Sequence, residues 1–153
     1  MMTLSCEVLS RLTGKTLVTA ESCTGGMIGA ALTAVPGSSA VYKGGIICYC
    51  NEVKHELLGV PEAMLKTCGA VSAPVAEAMA AGARNGLKAD YALSVTGLAG
   101  PGGDAFGHEV GTVFIGFSDE QKTLCREYHF PGQREAVRRQ AAEAALRLLL
   151  ENV

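Results

Sequence analysis

Ser22, Tyr49 with Lys54, Thr96, and three arginines stand in four short strings whose composition could carry chemistry. The first is Glu21-Ser22-Cys23-Thr24-Gly25-Gly26, between a β-rich stretch and a small-residue helix. Its hydroxyls, thiol and glycines face the positive end of that helix, where free backbone N–H groups can hold an anion or an oxyanion. The plainer alternative is that Ser22 or Thr24 only caps the helix and the glycines only permit a tight turn. The second string, Tyr49-Cys50-Asn51-Glu52-Val53-Lys54, also follows a strand. Asn51 as an N-cap places Tyr49 and Lys54 near the carboxyl edge of a sheet, where open α/β folds bind ligands. A desolvated lysine there can lose its proton and serve as a base for a serine; a solvated surface lysine is the competing reading. The third, Ser94-Val95-Thr96-Gly97-Leu98-Ala99-Gly100-Pro101-Gly102-Gly103, ends a strand in a hydroxyl and a glycine run that lets backbone amides approach a ligand. It reads equally as a crossover loop. The fourth, Gly132-Gln133-Arg134-Glu135-Ala136-Val137-Arg138-Arg139, crowds three arginines at a helix start, where the macrodipole disfavours cations. Arg134 and Arg138 share a face, which suits a bidentately held phosphate or, more simply, a solvated face compensated by Glu135.

The elements that must position these strings follow from periodicity and punctuation. Met2–Leu12 predicts a helix on the spacing of Leu4, Val8 and Leu12, closed by Gly14. A short strand, Thr16–Ala20, leads to the first string, and Met27–Val35 predicts a helix stopped before Pro36. Gly45–Tyr49 predicts a second buried strand, followed by helices from Asn51 to Leu58 and from Pro61 to Thr67. Ser72 predicts an N-cap for the Ala-rich helix Ala73–Leu87. Tyr91–Thr96 predicts a third strand, Gly97–Gly107 a loop, and Val110–Phe117 with Thr123–Phe130 a hairpin. Glu135–Leu150 predicts a last helix with Val137, Ala141, Ala144 and Leu148 in one apolar stripe. The expectation is a single domain over residues 1–153, an α/β three-layer sandwich on a mixed sheet.

Composition narrows the function. The chain has 153 residues, enough for one real core, and a net charge of −2, which argues against nucleic acid or an anionic membrane as partner. Aromatic residues make up 5% with no Trp, so a stacking surface for sugars or single strands is not expected. No apolar run reaches the roughly 18 residues of a membrane helix, and the N-terminus does not read as a signal peptide. The six cysteines are irregularly spaced and read as reduced thiols in a cytoplasmic protein. Ala- and Gly-rich helices suit close packing in a symmetric homodimer.

Several apparent motifs fail on context. Gly14-Lys15-Thr16 lacks the first P-loop glycine, because position 9 is Leu, and it precedes a strand instead of following one. Gly100-Pro101-Gly102-Gly103-Asp104-Ala105 fits a relaxed dinucleotide fingerprint, but no helix opens after it. Cys48, Cys50 and His55 match no zinc spacing, so neither a metal nor a cofactor is expected.

Taken together, Thr19-Ala20-Glu21-Ser22-Cys23-Thr24-Gly25-Gly26, Tyr49-x-Asn51-x-x-Lys54, Gly69-Ala70-Val71-Ser72, Val95-Thr96-Gly97-Leu98-Ala99-Gly100-Pro101 and Gly111-Thr112-Val113 resemble the CinA C-terminal domain family. That family includes the nicotinamide-nucleotide amidase (NMN deamidase), and the resemblance runs through nearly the whole chain in order. The amino-terminal domain of longer CinA proteins has no counterpart here, which fits the stand-alone deamidase type. The resemblance implies metal-free hydrolysis of the carboxamide of nicotinamide mononucleotide (NMN), giving nicotinate mononucleotide and ammonia.

Carried over by residue, the resemblance makes Ser22 the nucleophile and Lys54 its base, with Tyr49 assisting proton transfer or orienting the amide. Chemistry alone does not choose Lys54 over Tyr49 as the base. Thr96 sits against the substrate, with Gly97 and Gly100 beside it, and Arg138, with Arg134, is the candidate for holding phosphate. Helix-terminus physics adds Thr24, Gly25 and Gly26 as an oxyanion site. A neutral Lys54 requires a pKa depressed by burial or by Arg138. Two positions depart from the pattern: Cys50 replaces a small hydroxyl residue, and the loop Asp104–Glu109 differs from a Lys/Pro-bearing version. The rival readings are a non-catalytic nucleotide-binding module and an amidase for another phosphorylated amide.

Overall fold

The computed structural model describes residues 1–153. The chain runs α1 (Met2–Arg11), β1 (Leu17–Glu21), α2 (Met27–Thr33), a 3-10 turn at Ser38–Ala40, β2 (Tyr42–Ile47), α3 (Asn51–Leu58), α4 (Glu62–Cys68) and α5 (Ala73–Leu87). It continues through β3 (Tyr91–Gly97), β4 (Thr112–Ser118) and β5 (Thr123–His129) to α6 (Arg134–Asn152). The five strands form one mixed sheet in the order β2-β1-β3-β4-β5. β1 pairs in parallel with β2 and β3, and β3, β4 and β5 are antiparallel. No helix is long and apolar enough to cross a membrane.

Strand alternation divides the core between two faces. Leu17, Leu93, Val95, Val113, Ile115 and Phe117 point to one side, where they meet Val8 of α1, Ile28 and Leu32 of α2 and the buried stripe of α6. That stripe is broader than its periodicity indicates: Ala142, Ala145, Leu146 and Leu149 are buried beside Val137, Ala141, Ala144 and Leu148. On the other side Val18, Ala20 and Ala92 meet Leu58 of α3, Leu65 of α4 and Val75, Met79 and Ala83 of α5. The result is the expected helix–sheet–helix sandwich.

The abundant Gly and Ala serve close approach. Ser94 Oγ donates to Ala76 O at 2.6 Å, pinning α5 to the centre of the sheet, and a side chain at Gly116 would fall 2.6 Å from the same carbonyl. The second strand runs from Tyr42 to Ile47 instead of Gly45 to Tyr49. It is not buried as expected: it lies at the edge of the sheet, and its residues alternate between half-buried and exposed. Gly44 and Gly45 carry no periodic signal, yet they lie in the strand because Thr19 of β1 fills the space a Cβ at Gly45 would need. Two expected caps also differ. Cys50, extended at φ −126° and ψ 165°, precedes α3, and Asn51 is its first helical residue. Ser72 does precede α5, but its hydroxyl donates back to Gly69 O at 2.8 Å and not to a helix N–H.

This packing makes two substitutions on one helix opposite in sign. Gly82 of α5 lies against the Leu58 carbonyl of α3, into which a Cβ would run directly, whereas Gly86 faces open space. Gly82→Ala should destabilise by about 1–3 kcal/mol despite alanine's better helix propensity, and Gly86→Ala should stabilise by about 0.5 kcal/mol. Denaturant unfolding of both variants checks the pair.

Candidate active site

The three parallel strands β2, β1 and β3 end at the same edge of the sheet, and the strings at residues 21–26, 48–54 and 96–103 leave from those ends. From β1 the chain crosses to β2 on one side, then returns to β3 on the other. The edge beside β1 is therefore a topological switch point, where crevices open in such sheets. Backbone pairing extends past the strands: Ser22 N–H donates to Val95 O at 3.0 Å, and Cys48 N–H donates to Glu21 O at 2.9 Å.

Glu21 turns its side chain under the loop that follows it. One carboxylate oxygen accepts from Thr24 Oγ1 at 2.7 Å and from Ile28 N–H at 2.9 Å. The other accepts from Gly29 N–H at 3.0 Å and, more weakly, from Thr19 Oγ1 at 3.4 Å. The N-terminus of α2 thus does hold an anion, as its glycines and hydroxyls suggest, but the anion is this buried glutamate. Thr24 is wholly buried and spends its hydroxyl on that carboxylate. Gly25 N–H returns to Ser22 O, and Met27 N–H to Thr24 O. In the turn, the amides of Cys23, Thr24 and Gly26 are left without a protein acceptor. Gly25 and Gly26 both have positive φ, 57° and 100°, which a tight turn of this kind requires.

Held on that turn, Ser22 is 8% exposed and faces Lys54 of α3. Lys54 Nζ lies 3.2 Å from Ser22 Oγ and donates to Cys48 O at 2.9 Å. The lysine is 2% exposed and has no carboxylate partner. Burial pulls its pKa below the usual lysine range; Arg138 is not among the causes. Burial also pushes the neighbouring Cys23 thiol up to about 11, so at neutral pH it is an uncharged thiol and a poor rival nucleophile.

Ser22 and Lys54 open onto a cavity of about 530 Å³, within the size range of small-molecule sites. Tyr49, Thr96, Gly97, Gly100 and Arg134 share its wall. Thr96 donates its hydroxyl to Ala70 O at 2.8 Å and so fastens the Gly69–Ser72 segment over the end of β3. Tyr49 is 64% exposed, and its hydroxyl accepts from Arg134 at 2.9 Å; Arg134 also donates to Gly100 O at 2.7 Å. The two arginines of α6 therefore part company. Arg138 donates to Cys23 O at 3.0 Å and Thr24 O at 3.3 Å, and pairs with Glu135, which leaves it behind the Ser22 turn and outside the cavity wall.

Sequence reasoning gave no role to Glu21, Val71, Asp104 or Phe106, although the last three line the cavity. Glu21 ends β1 and is separated from α2 by the five residues Ser22–Gly26, so no local capping position in the sequence marks it. No three His, Cys, Asp or Glu side chains converge to hold a metal ion, and all six cysteines are free.

The sequence and the fold have counterparts among known proteins. The family model described as the CinA C-terminal domain matches residues 2–153. The chain belongs to the CinA C-terminal domain family. A CinA-like protein of Geobacter metallireducens is 49% identical over 138 residues, 90% of this chain and 33% of that protein. One of Mycobacterium tuberculosis is 46% identical over 143 residues, 93% of this chain and again 33% of its own length. The chain thus spans about a third of these curated relatives. Among solved structures, a competence/damage inducible protein of Agrobacterium tumefaciens superposes with a TM-score of 0.94 at 38% identity, covering 98% of this chain and 93% of that one. A CinA superfamily protein of Escherichia coli superposes with a TM-score of 0.96 at 34% identity, covering 98% and 88%.

Within this CinA-type domain, Glu21→Gln tests whether the carboxylate organises the turn. An amide keeps the shape but turns an NH2 toward donors that need an acceptor. It should cost about 1–3 kcal/mol in denaturant unfolding, and Glu52→Gln, an exposed change on α3, should cost almost nothing.

Proposed function

We propose that this domain hydrolyses the carboxamide of NMN to nicotinate mononucleotide and ammonia, with Ser22 as nucleophile and Lys54 as base. The observation that carries the reading is the 3.2 Å approach of a buried, unpaired lysine amine to a serine hydroxyl at the floor of a nucleotide-sized cavity. An amine that is easier to deprotonate than usual can accept the hydroxyl proton while still donating to Cys48 O, which fixes its orientation.

In the first step Ser22 Oγ attacks the carboxamide carbon as its proton moves to Lys54 Nζ. The oxyanion meets free turn amides, those of Cys23 and Thr24. Collapse breaks the C–N bond, and the proton on Lys54 leaves with ammonia. Water, deprotonated by the same amine, then attacks the acyl-serine ester and releases the carboxylate and the serine hydroxyl. Arg134 is the cation placed to meet the phosphate from the cavity wall, since two of its bonds to Gly100 O and Tyr49 leave further N–H donors free. Arg138 positions the Ser22 turn through its two carbonyl contacts.

The deciding experiment is ammonia release from NMN by the purified protein in the presence of a chelator, with nicotinate mononucleotide as the co-product. Ser22→Ala and Lys54→Met should each lower kcat by about 10²–10⁴-fold while circular dichroism stays unchanged. Binding of NMN without ammonia would sink the amidase reading in favour of a nucleotide-binding module. Release from another phosphorylated amide but not from NMN would correct the substrate.

The neutral amine is the working form, so kcat/KM should rise with pH as Lys54 loses its proton. Because burial lowers that pKa, the midpoint of the rise should fall below the ordinary lysine value of about 10.4. A pH–rate profile showing no ionisation below that value would remove Lys54 from the base role.

A further inference from the structure

Phe106 is half exposed, at 50%, on the wall of the same cavity as Ser22, in a chain with four Phe, four Tyr and no Trp. Leaving so large an apolar side chain in water forfeits part of the roughly 1.5–3 kcal/mol that its burial would supply. Its placement is not loose. The ring is seated against the backbone of Gly69, where an added Cβ would fall 2.6 Å from Cε2 and 2.7 Å from Cδ2. Gly69 belongs to the segment that Thr96 fastens through Ala70 O, so the seat is tied to the end of β3.

The loop beneath the ring is tied as well. Asp104 accepts from Phe106 N–H at 3.1 Å and His108 N–H at 3.0 Å, and its second oxygen meets His108 Nδ1 at 2.7 Å. The His108 ring in turn stands edge-on to buried Phe114 of β4, with centroids 6.1 Å apart at 76°. The aromatic face is thus fixed before any ligand arrives. Asp104 shares the cavity wall, so an acidic group accompanies the ring. Arg134 lines the same cavity and repels a cationic ligand. Both Asp104 oxygens are already engaged within the loop, so the attraction that offsets this repulsion comes chiefly from the Phe106 ring.

We propose that Phe106 is a specificity-determining residue whose face receives a planar cationic heteroaromatic ring, a pyridinium, carried by the substrate. The proposal deepens the amide-hydrolysis reading and rests on it. Attraction between the cation and the ring quadrupole is absent for a neutral ring of the same size. The residue therefore selects for the charge of the ring as well as for its shape.

The test compares NMN with its reduced form, which keeps the carboxamide, ribose and phosphate but carries a neutral dihydropyridine ring. Titration calorimetry on Ser22→Ala measures both affinities without turnover. The ratio of the two Kd values should favour the pyridinium, collapse by about tenfold in Ser22→Ala/Phe106→Leu, and survive in Ser22→Ala/Phe106→Tyr, which keeps the ring. In the otherwise unmutated protein, Phe106→Leu should raise KM for NMN about tenfold with kcat within about threefold. An unchanged ratio in the leucine variant overturns the proposal. So does equal weakening of both ligands, which would make Phe106 a wall and not a reader of charge. The two readings fail separately. Charge-selective binding that depends on Phe106 without ammonia release removes the amidase and keeps the residue's role, whereas ammonia release indifferent to Phe106→Leu does the reverse.

Discussion

The buried carboxylate of Glu21 is the point on which the rest of the site hangs. It ends β1, the central parallel strand of the sheet, and takes its hydrogen bonds from the first turn of α2 and from Thr24. A carboxylate in that position satisfies amides that a helix start leaves without partners and meets the positive end of the macrodipole. The chain between strand and helix must then close in five residues, which forces the glycine turn and presents Ser22 at its crest. Arg138 holds the same turn from behind through the Cys23 and Thr24 carbonyls. Strand, helix and last helix are thus joined through polar contacts at one corner, while the apolar faces supply the bulk of the packing.

Against that fixed serine the protein places a lysine with nothing to neutralise it. A buried ammonium costs free energy that a carboxylate partner would normally offset, and Lys54 has only a carbonyl and a hydroxyl. The imbalance shifts the amine toward its neutral form. The result is a desolvated amine 3.2 Å from a serine hydroxyl.

Much of the fold was legible because its signals are local. The Ala73–Leu87 helix, the β3 strand and the hairpin announce themselves by period and punctuation, and the structure places them within a residue or two. What escaped were features decided across the sheet. The start of β2 is hidden by Gly44 and Gly45, and Gly45 leaves room for Thr19 of β1 and for the Tyr42 hydroxyl of its own strand. The Ser72 hydroxyl has two acceptable local partners, and the Gly69 carbonyl takes it. Arg134 and Arg138 stand four residues apart on one helix face, and the family resemblance favours Arg138 as the phosphate holder, yet it is Arg134 that lines the cavity. They end in different surroundings because the Ser22 turn docks onto one and the cavity opens beside the other.

The sequence by itself determined the family, the alternation of helices with strands, and which strings could hold chemistry, since all three depend on residue type and spacing along one chain. Only the tertiary structure decided which ligand the α2 terminus takes, whether Lys54 is solvated or buried, and that Phe106 stands on the cavity wall. Those depend on what residues from β1, α3 and the loop before β4 find opposite them. Burial and electrostatic environment are properties of the assembled sheet edge, and no single segment carries them.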